Sequence, residues 1–174
     1  MVSGSLIKID EVIVSSAVAS VTLGGSDWDS SYDVYVVQIV NAIPDTDAVR
    51  LETRFTVSGT EDSSSNYDRA FNNLRADTSF GDISSANVSQ LDLGTTGTGT
   101  QEMMNITQYL FNFNNSSEYS FTTVEASSRN NDGHLRGFQG GGVLTVAQAT
   151  DGVKYFFHSG NIASGTFTLY GLKK

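Results

Sequence analysis

The chain is built from short runs of Val, Ile, Thr, Phe and Tyr, each broken after a few residues by a cluster of Gly, Asn, Asp or Ser. β-Branched and aromatic side chains fit a pleated, half-buried surface, and the polar clusters between them supply turns. No apolar stripe at helical spacing is long enough to compete. The pattern therefore predicts β-structure from end to end. Val34, Tyr35, Val36, Val37, Ile39 and Val40 form a near-continuous apolar run, which predicts a central strand over 33–40 buried on both faces. Residues 50–57 alternate instead, with Leu51, Thr53, Phe55 and Val57 on an expected core face and Arg50, Glu52 and Arg54 on an expected wet one.

Further strands are expected at 6–14, 18–23, 67–75, 102–113, 118–127, 153–158 and 166–172. The second and third of the C-terminal group, 102–113 and 118–127, should pair antiparallel across Asn114-Asn115-Ser116-Ser117. Residues 134–149 hold Gly140-Gly141-Gly142, where a bulge or bend is expected. Residues 77–100 read as loop around Val88, Leu91 and Leu93, with 95–100 at the surface. Roughly nine or ten short strands with polar turns predict an all-β chain, an antiparallel two-sheet β-sandwich of jelly-roll type. At 174 residues it fits one domain, 1–174, with residues 1–5 as an N-terminal arm.

Charge and composition exclude several functions. Ten basic residues against nineteen acidic ones give a net charge of -9, the wrong sign for a phosphate-binding surface, so no nucleic acid is expected as partner. No run approaches the roughly 18 consecutive apolar residues of a membrane span, so no membrane partner is expected either. Residues 1–10 do not read as a signal peptide. With no cysteine there are no disulfides, thiolate metal sites or cysteine nucleophiles.

Catalytic constellations are sparse. His134 and His158 stand apart without metal-ligand spacing, no Gly-x-Ser-x-Gly elbow occurs, and Gly94, Gly97 and Gly99 lack the lysine of a phosphate loop. Asp27, Asp29, Asp33, Asp45 and Asp47 read as turn chemistry rather than as calcium ligands. No catalytic residue, metal or cofactor is expected, and the chain is read as no enzyme. The residues singled out as interface or ligand contacts are Trp28, Tyr32, Tyr67 and His134; Trp28 and Tyr32 could stack on a sugar, although a lone Trp more often fills a core. A surface rich in hydroxyl and amide groups and poor in lysine suits packing through neutral hydrogen-bonded interfaces.

The C-terminal run Gly160-Asn161-Ile162-Ala163-Ser164-Gly165-Thr166-Phe167-Thr168-Leu169-Tyr170-Gly171-Leu172 resembles the closing strand of a family of small virion structural proteins of tailed bacteriophages, known from marine and cyanobacterial phages, that end in Gly-Thr-x-x-Leu-Tyr-Gly. Residues 18–23, 31–37, Arg54-Phe55, Asn66-Tyr67, 106–112 and 118–125 are similar to that family's earlier strands in order and spacing. The resemblance implies a virion protein displayed on the particle, partnered by phage capsid or tail proteins and forming a homo-oligomer, with a trimer the favoured symmetry. Within it, a capsid decoration or cement protein comes first. A tail-fibre tip or receptor-binding domain is the alternative, with loops 59–66, 94–100 and 128–142 contacting host glycans, and a lectin-like domain unrelated to phage comes third.

Overall fold

The computed structural model describes residues 6–129 and 132–173. The arm expected at residues 1–5 and the first half of the turn expected at 130–133 lie outside the described residues. Thirteen strands follow in chain order: β1 (Leu6–Val14), β2 (Val21–Gly24), β3 (Val34–Pro44), β4 (Val49–Val57), β5 (Thr60–Glu61), β6 (Tyr67–Arg75), β7 (Gly81–Val88), β8 (Leu91–Thr96), β9 (Met104–Phe111), β10 (Ser120–Arg129), β11 (Leu135–Leu144), β12 (Gly152–Phe157) and β13 (Ile162–Leu172). A 3-10 turn at Gly25–Asp27 is the helical element among the described residues. The count exceeds the expected nine or ten because the stretch read as loop at 77–100 holds two strands, β7 and β8, and β5 is a two-residue edge piece.

The strands form two packed antiparallel sheets, one ordered β1-β13-β3-β9-β10-β11-β6-β7 and the other β2-β12-β4-β5, with β8 also paired to β4. Numbering β1, β2, β3, β4, β8, β9, β12 and β13 from first to eighth exposes the underlying order. One sheet runs first, eighth, third, sixth, and the other second, seventh, fourth, fifth. That is the jelly roll, a long antiparallel hairpin folded over so that its strand pairs alternate between sheets. Two insertions depart from it. The segment β5–β7 enters between the fourth and fifth strands, the hairpin β10–β11 enters between the sixth and seventh, and together they extend the first sheet to eight strands.

The core lies where both sheets overlap. Tyr35, Phe55, Tyr67, Tyr155, Phe167, Leu23 and Leu51 are fully buried in one cluster with Val37, Leu93, Leu110 and Leu169. Each such side chain contributes on the order of 1.5–3 kcal/mol by leaving water. Polar groups that enter this core are satisfied across the sandwich. Tyr155 of the narrow sheet donates its hydroxyl to Gln108 Oε1 of the wide sheet at 2.7 Å, and Gln108 Nε2 donates to Thr122 at 3.0 Å. Tyr67 ties the sheets a second time, accepting from the Phe55 backbone N–H at 3.0 Å and donating to the Asp62 carbonyl at 2.9 Å.

The triple glycine behaves differently from the expectation of a bulge or bend. β11 pairs with β10 and with β6 through Gly140, Gly141 and Gly142 without a register shift. The glycines are there for approach: a Cβ on Gly140 would fall on the Ala70 carbonyl oxygen and 2.7 Å from Phe71 Cα, and one on Gly142 would sit 2.6 Å from Leu91 Cδ2. β11 is thereby pressed between its neighbours beneath β8. The outward face of β3 also differs from expectation, since Val36 is buried but Val40 is 46% exposed.

Two outcomes follow from this packing. Gly140→Ala forces backbone apart and should cost about 3 kcal/mol of unfolding free energy. Tyr155→Phe leaves Gln108 Oε1 buried without its donor and should cost about 1–3 kcal/mol. Urea denaturation at neutral pH measures both; a loss within about 0.5 kcal/mol for either would contradict the corresponding contact.

Candidate functional site

Three of the four residues singled out from the sequence lie on one chain of aromatic contacts. Tyr32 meets Tyr35 edge-on at 6.1 Å, Trp28 lies 4.0 Å from Tyr35, Phe113 is 5.6 Å from Trp28, and Phe55 links Phe113 at 4.8 Å to Tyr67 at 5.6 Å. These rings close one end of the sandwich. Tyr32 covers Gly171, where a Cβ would run into its ring, and Trp28 is half-buried with its Nε1 buried and unpaired. Tyr35 donates its hydroxyl to the Asp29 carbonyl at 2.8 Å, and burial pushes its phenol up to about 12. Tyr67 is fully buried, so its role is in the core. His134 stands apart from this chain, exposed, with its Nδ1 3.9 Å from Asp77 Oδ2.

Of the aspartates weighed as calcium ligands, Asp29 and Asp45 accept hydrogen bonds at turns and Asp47 accepts from the Thr98 backbone N–H. Asp29 accepts from the Ser31 backbone N–H at 3.0 Å, and Asp45 accepts from the Asn161 backbone and side-chain N–H groups at 2.7 and 2.8 Å. Those Asn161 bonds hold the Asp45 carboxyl below its usual range. Among the described residues no group of three or more His, Asp and Glu is placed to hold a metal ion.

Register places the most extensive surface feature on the outward face of the wide sheet. The alternation along β9 and β10 puts Met104, Ile106, Gln108 and Leu110 inside, together with Ser120, Thr122 and Val124. Their neighbours in sequence face out. Cross-strand pairing then aligns Val34, Phe111, Phe121 and Val143 in one row. A second row holds Tyr170, Val36, Tyr109, Thr123 and Gly141, and a third Thr168, Gln38, Thr107, Glu125 and Gln139. From β13 to β11 Glu125 is the one charged side chain in these three rows, which continue outward to Lys8 and Glu11 on β1, Asp68 on β6 and Asp82 on β7. Tyr109 and Phe111 stack at 6.4 Å, and Tyr109 and Phe121 are 39% and 44% exposed. The middle of the face is thus an aromatic band of low charge, with the charges at its two margins.

The narrow sheet shows the opposite character. Glu52 and Asp92 are paired across β4 and β8 and are only 1% and 5% exposed. The sequence pattern put Glu52 on a wet face; the structure buries it. Arg50 reaches both carboxylates, at 3.6 Å from Glu52 and 3.7 Å from Asp92, while His158 Nδ1 lies 3.1 Å from Glu52 and Arg69 lies 2.8 Å from Asp92. Burial first, and the Asp92 charge second, push the Glu52 carboxyl above its usual range; His158 and Arg50 pull it back. Alternation alone does not reveal this cluster, because β8, which covers it, buries Leu91, Asp92 and Leu93 in succession.

Comparison of the chain with protein-family models, with curated proteins and with solved structures finds no match in any of the three.

The raised Glu52 carboxyl has a definite sign for stability. An acid whose folded value exceeds its unfolded one supports the fold while protonated and loses that support as pH rises through the folded value. Wild type should therefore lose stability relative to Glu52→Gln as pH is raised from about 4 to about 8, measured by urea midpoints. A difference that stays flat, or grows in favour of wild type, would refute the raised value.

Proposed function

We propose that this chain is a structural protein of a tailed-phage particle, a decoration or cement protein that docks on the capsid shell through the outward face of its wide sheet. The observation that carries this reading is the neutral aromatic band of Val34, Tyr109, Phe111, Phe121, Val143 and Tyr170. A surface of this kind loses little on desolvation, because it holds few charges to strip of water, and its aromatic rings supply large contact area at low entropic cost. The resemblance of residues 160–172 to virion proteins supports the same reading, and those residues form β13 and the turn before it.

Cementing works by linkage. Contacts made only on the assembled shell stabilise that state over its dissociated parts, in proportion to occupancy. The middle of the wide sheet suits the task, since β3, β9 and β10 are paired on both sides and present side chains alone to a partner.

Quantitative mass spectrometry of purified particles tests the reading. The copy number should match that of the major capsid protein or be a simple fraction of it; a count of a few trimers, or absence from particles, would overturn the assignment. The double substitution Tyr109→Ser with Phe121→Ser should lower shell affinity at least about tenfold, the scale of losing one aromatic anchor. Both residues are exposed, so folding stability should change by no more than about 1 kcal/mol.

A further inference from the structure

The wide sheet overhangs the narrow one. β8 borders the narrow sheet beside β4, and β11, β6 and β7 continue the wide sheet past it; β11 meets β8 at Gly142 and β6 meets β4 through Tyr67, and beyond these contacts the inward face of the extension opens around Asn73, Ile83 and Phe138. Between the β8 edge and this overhang lies a cleft of about 290 Å³. Its floor is apolar, formed by Leu93, Met104, Ile83 and Phe138, with Phe138 stacked on Phe71 at 4.6 Å. Its walls are arginine: Arg50 from β4, Arg75 from β6 and Arg136 from β11. Half of the six arginines of an acidic chain thus meet in one place.

Two of these arginines are compensated. Arg50 faces Glu52 and Asp92, and Arg136 forms a bidentate pair with Asp77. Arg75 is the exception. Among the described residues no hydrogen bond or ion pair engages its guanidinium, and its Nε is buried without a partner. Asn73, Ser128 and Thr95 add amide and hydroxyl groups to the same walls.

We propose that this cleft binds one acidic monosaccharide unit of the uronic-acid class, its carboxylate held by Arg75. The chemistry selects that ligand on three counts. Arg75 offers one cation without an ion-pair partner among the described residues, which matches a monoanion, and the carboxylates of Asp92 and Asp132 in the same walls disfavour a phosphate dianion. A planar carboxylate matches the fork of a guanidinium. Amide, hydroxyl and carboxylate groups around an apolar floor suit a ring with hydroxyls on its edge and C–H groups on its face, and the volume admits one such ring. The assignment stands independently of docking through the outward sheet face, which lies on the other side of the wide sheet.

The test is a titration of the ¹⁵N-labelled full chain with methyl β-D-glucuronide, followed by amide shifts, beside methyl β-D-glucoside and inorganic phosphate. Glucuronide should perturb amides of β6, β8 and β11 in a saturable way, and the neutral glucoside should bind about tenfold more weakly or not at all, the scale of one charge-assisted hydrogen bond. Arg75→Gln should weaken glucuronide binding by a similar factor. Because Arg75 holds no structural partner, that variant should keep its urea midpoint, so lost binding cannot be ascribed to unfolding. Equal binding of glucoside, tighter binding of phosphate, unchanged affinity in Arg75→Gln, or no saturable shift would each overturn the proposal. Loss of shell docking in the Tyr109/Phe121 variant with glucuronide binding intact would separate the two roles.

Discussion

Everything distinctive about this molecule follows from a mismatch in width. A jelly roll needs two sheets of similar breadth, and here one has eight strands against five. The inserted strands β10, β11, β6 and β7 extend the first sheet beyond β9, while β5 pairs with β4 in the second. Continuing past β9 satisfies the backbone groups of these strands in a ladder, and it carries the inward face of the extension past the edge of the narrow sheet at Asn73, Ile83 and Phe138. Arg69 is the brace across that gap: its bond to Asp92 at 2.8 Å fastens the overhang to the edge of the narrow sheet.

Charge is sorted accordingly. Carboxylates and arginines gather around β4, β8 and the overhang, where Glu52, Asp92, Arg50, Arg69 and His158 are within ion-pairing distance of one another in sequence of contacts. Such a buried network is weak as a source of stability, since desolvation offsets most of the attraction, yet removing one member strands the rest. The middle of the outward face, from β13 to β11, keeps little charge, and Lys8, Glu11, Asp68 and Asp82 stand at its margins. The two faces of the molecule are therefore suited to different partners, one through area and one through a few directed polar contacts.

Strong, long patterns were legible in the sequence. The run at 33–40 did form a central strand, flanked by β13 and β9, and the hairpin across 114–117 formed as β9 and β10. What escaped was set by tertiary context. β7 has the sequence Gly-Asp-Ile-Ser-Ser-Ala-Asn-Val, with little intrinsic strand preference, and exists because β6 templates it. The tract Gly140-Gly141-Gly142 gave a flexibility signal locally but answers to a packing limit imposed by Ala70, Phe71 and Leu91, which sit far away in the chain. Trp28, Tyr32 and Tyr67, expected as interface or ligand contacts, lie on one chain of ring contacts that runs into the core, which no local pattern in the sequence displays. Arg75 could not be distinguished from other arginines until the overhang placed it.

The position of β13 has a consequence for how the chain acquires its shape. It lies between β1 and β3, with registers to both, although it follows them far along the chain. Until it pairs, β1 has no ladder partner among the described strands and β3 has an open edge. Contacts of that sequence separation make folding slow and leave pairing edges exposed in the interim. A polypeptide shortened ahead of Ile162 would keep most of its hydrophobic side chains yet lack the element that joins them, and would self-associate through β3 rather than accumulate as a smaller domain.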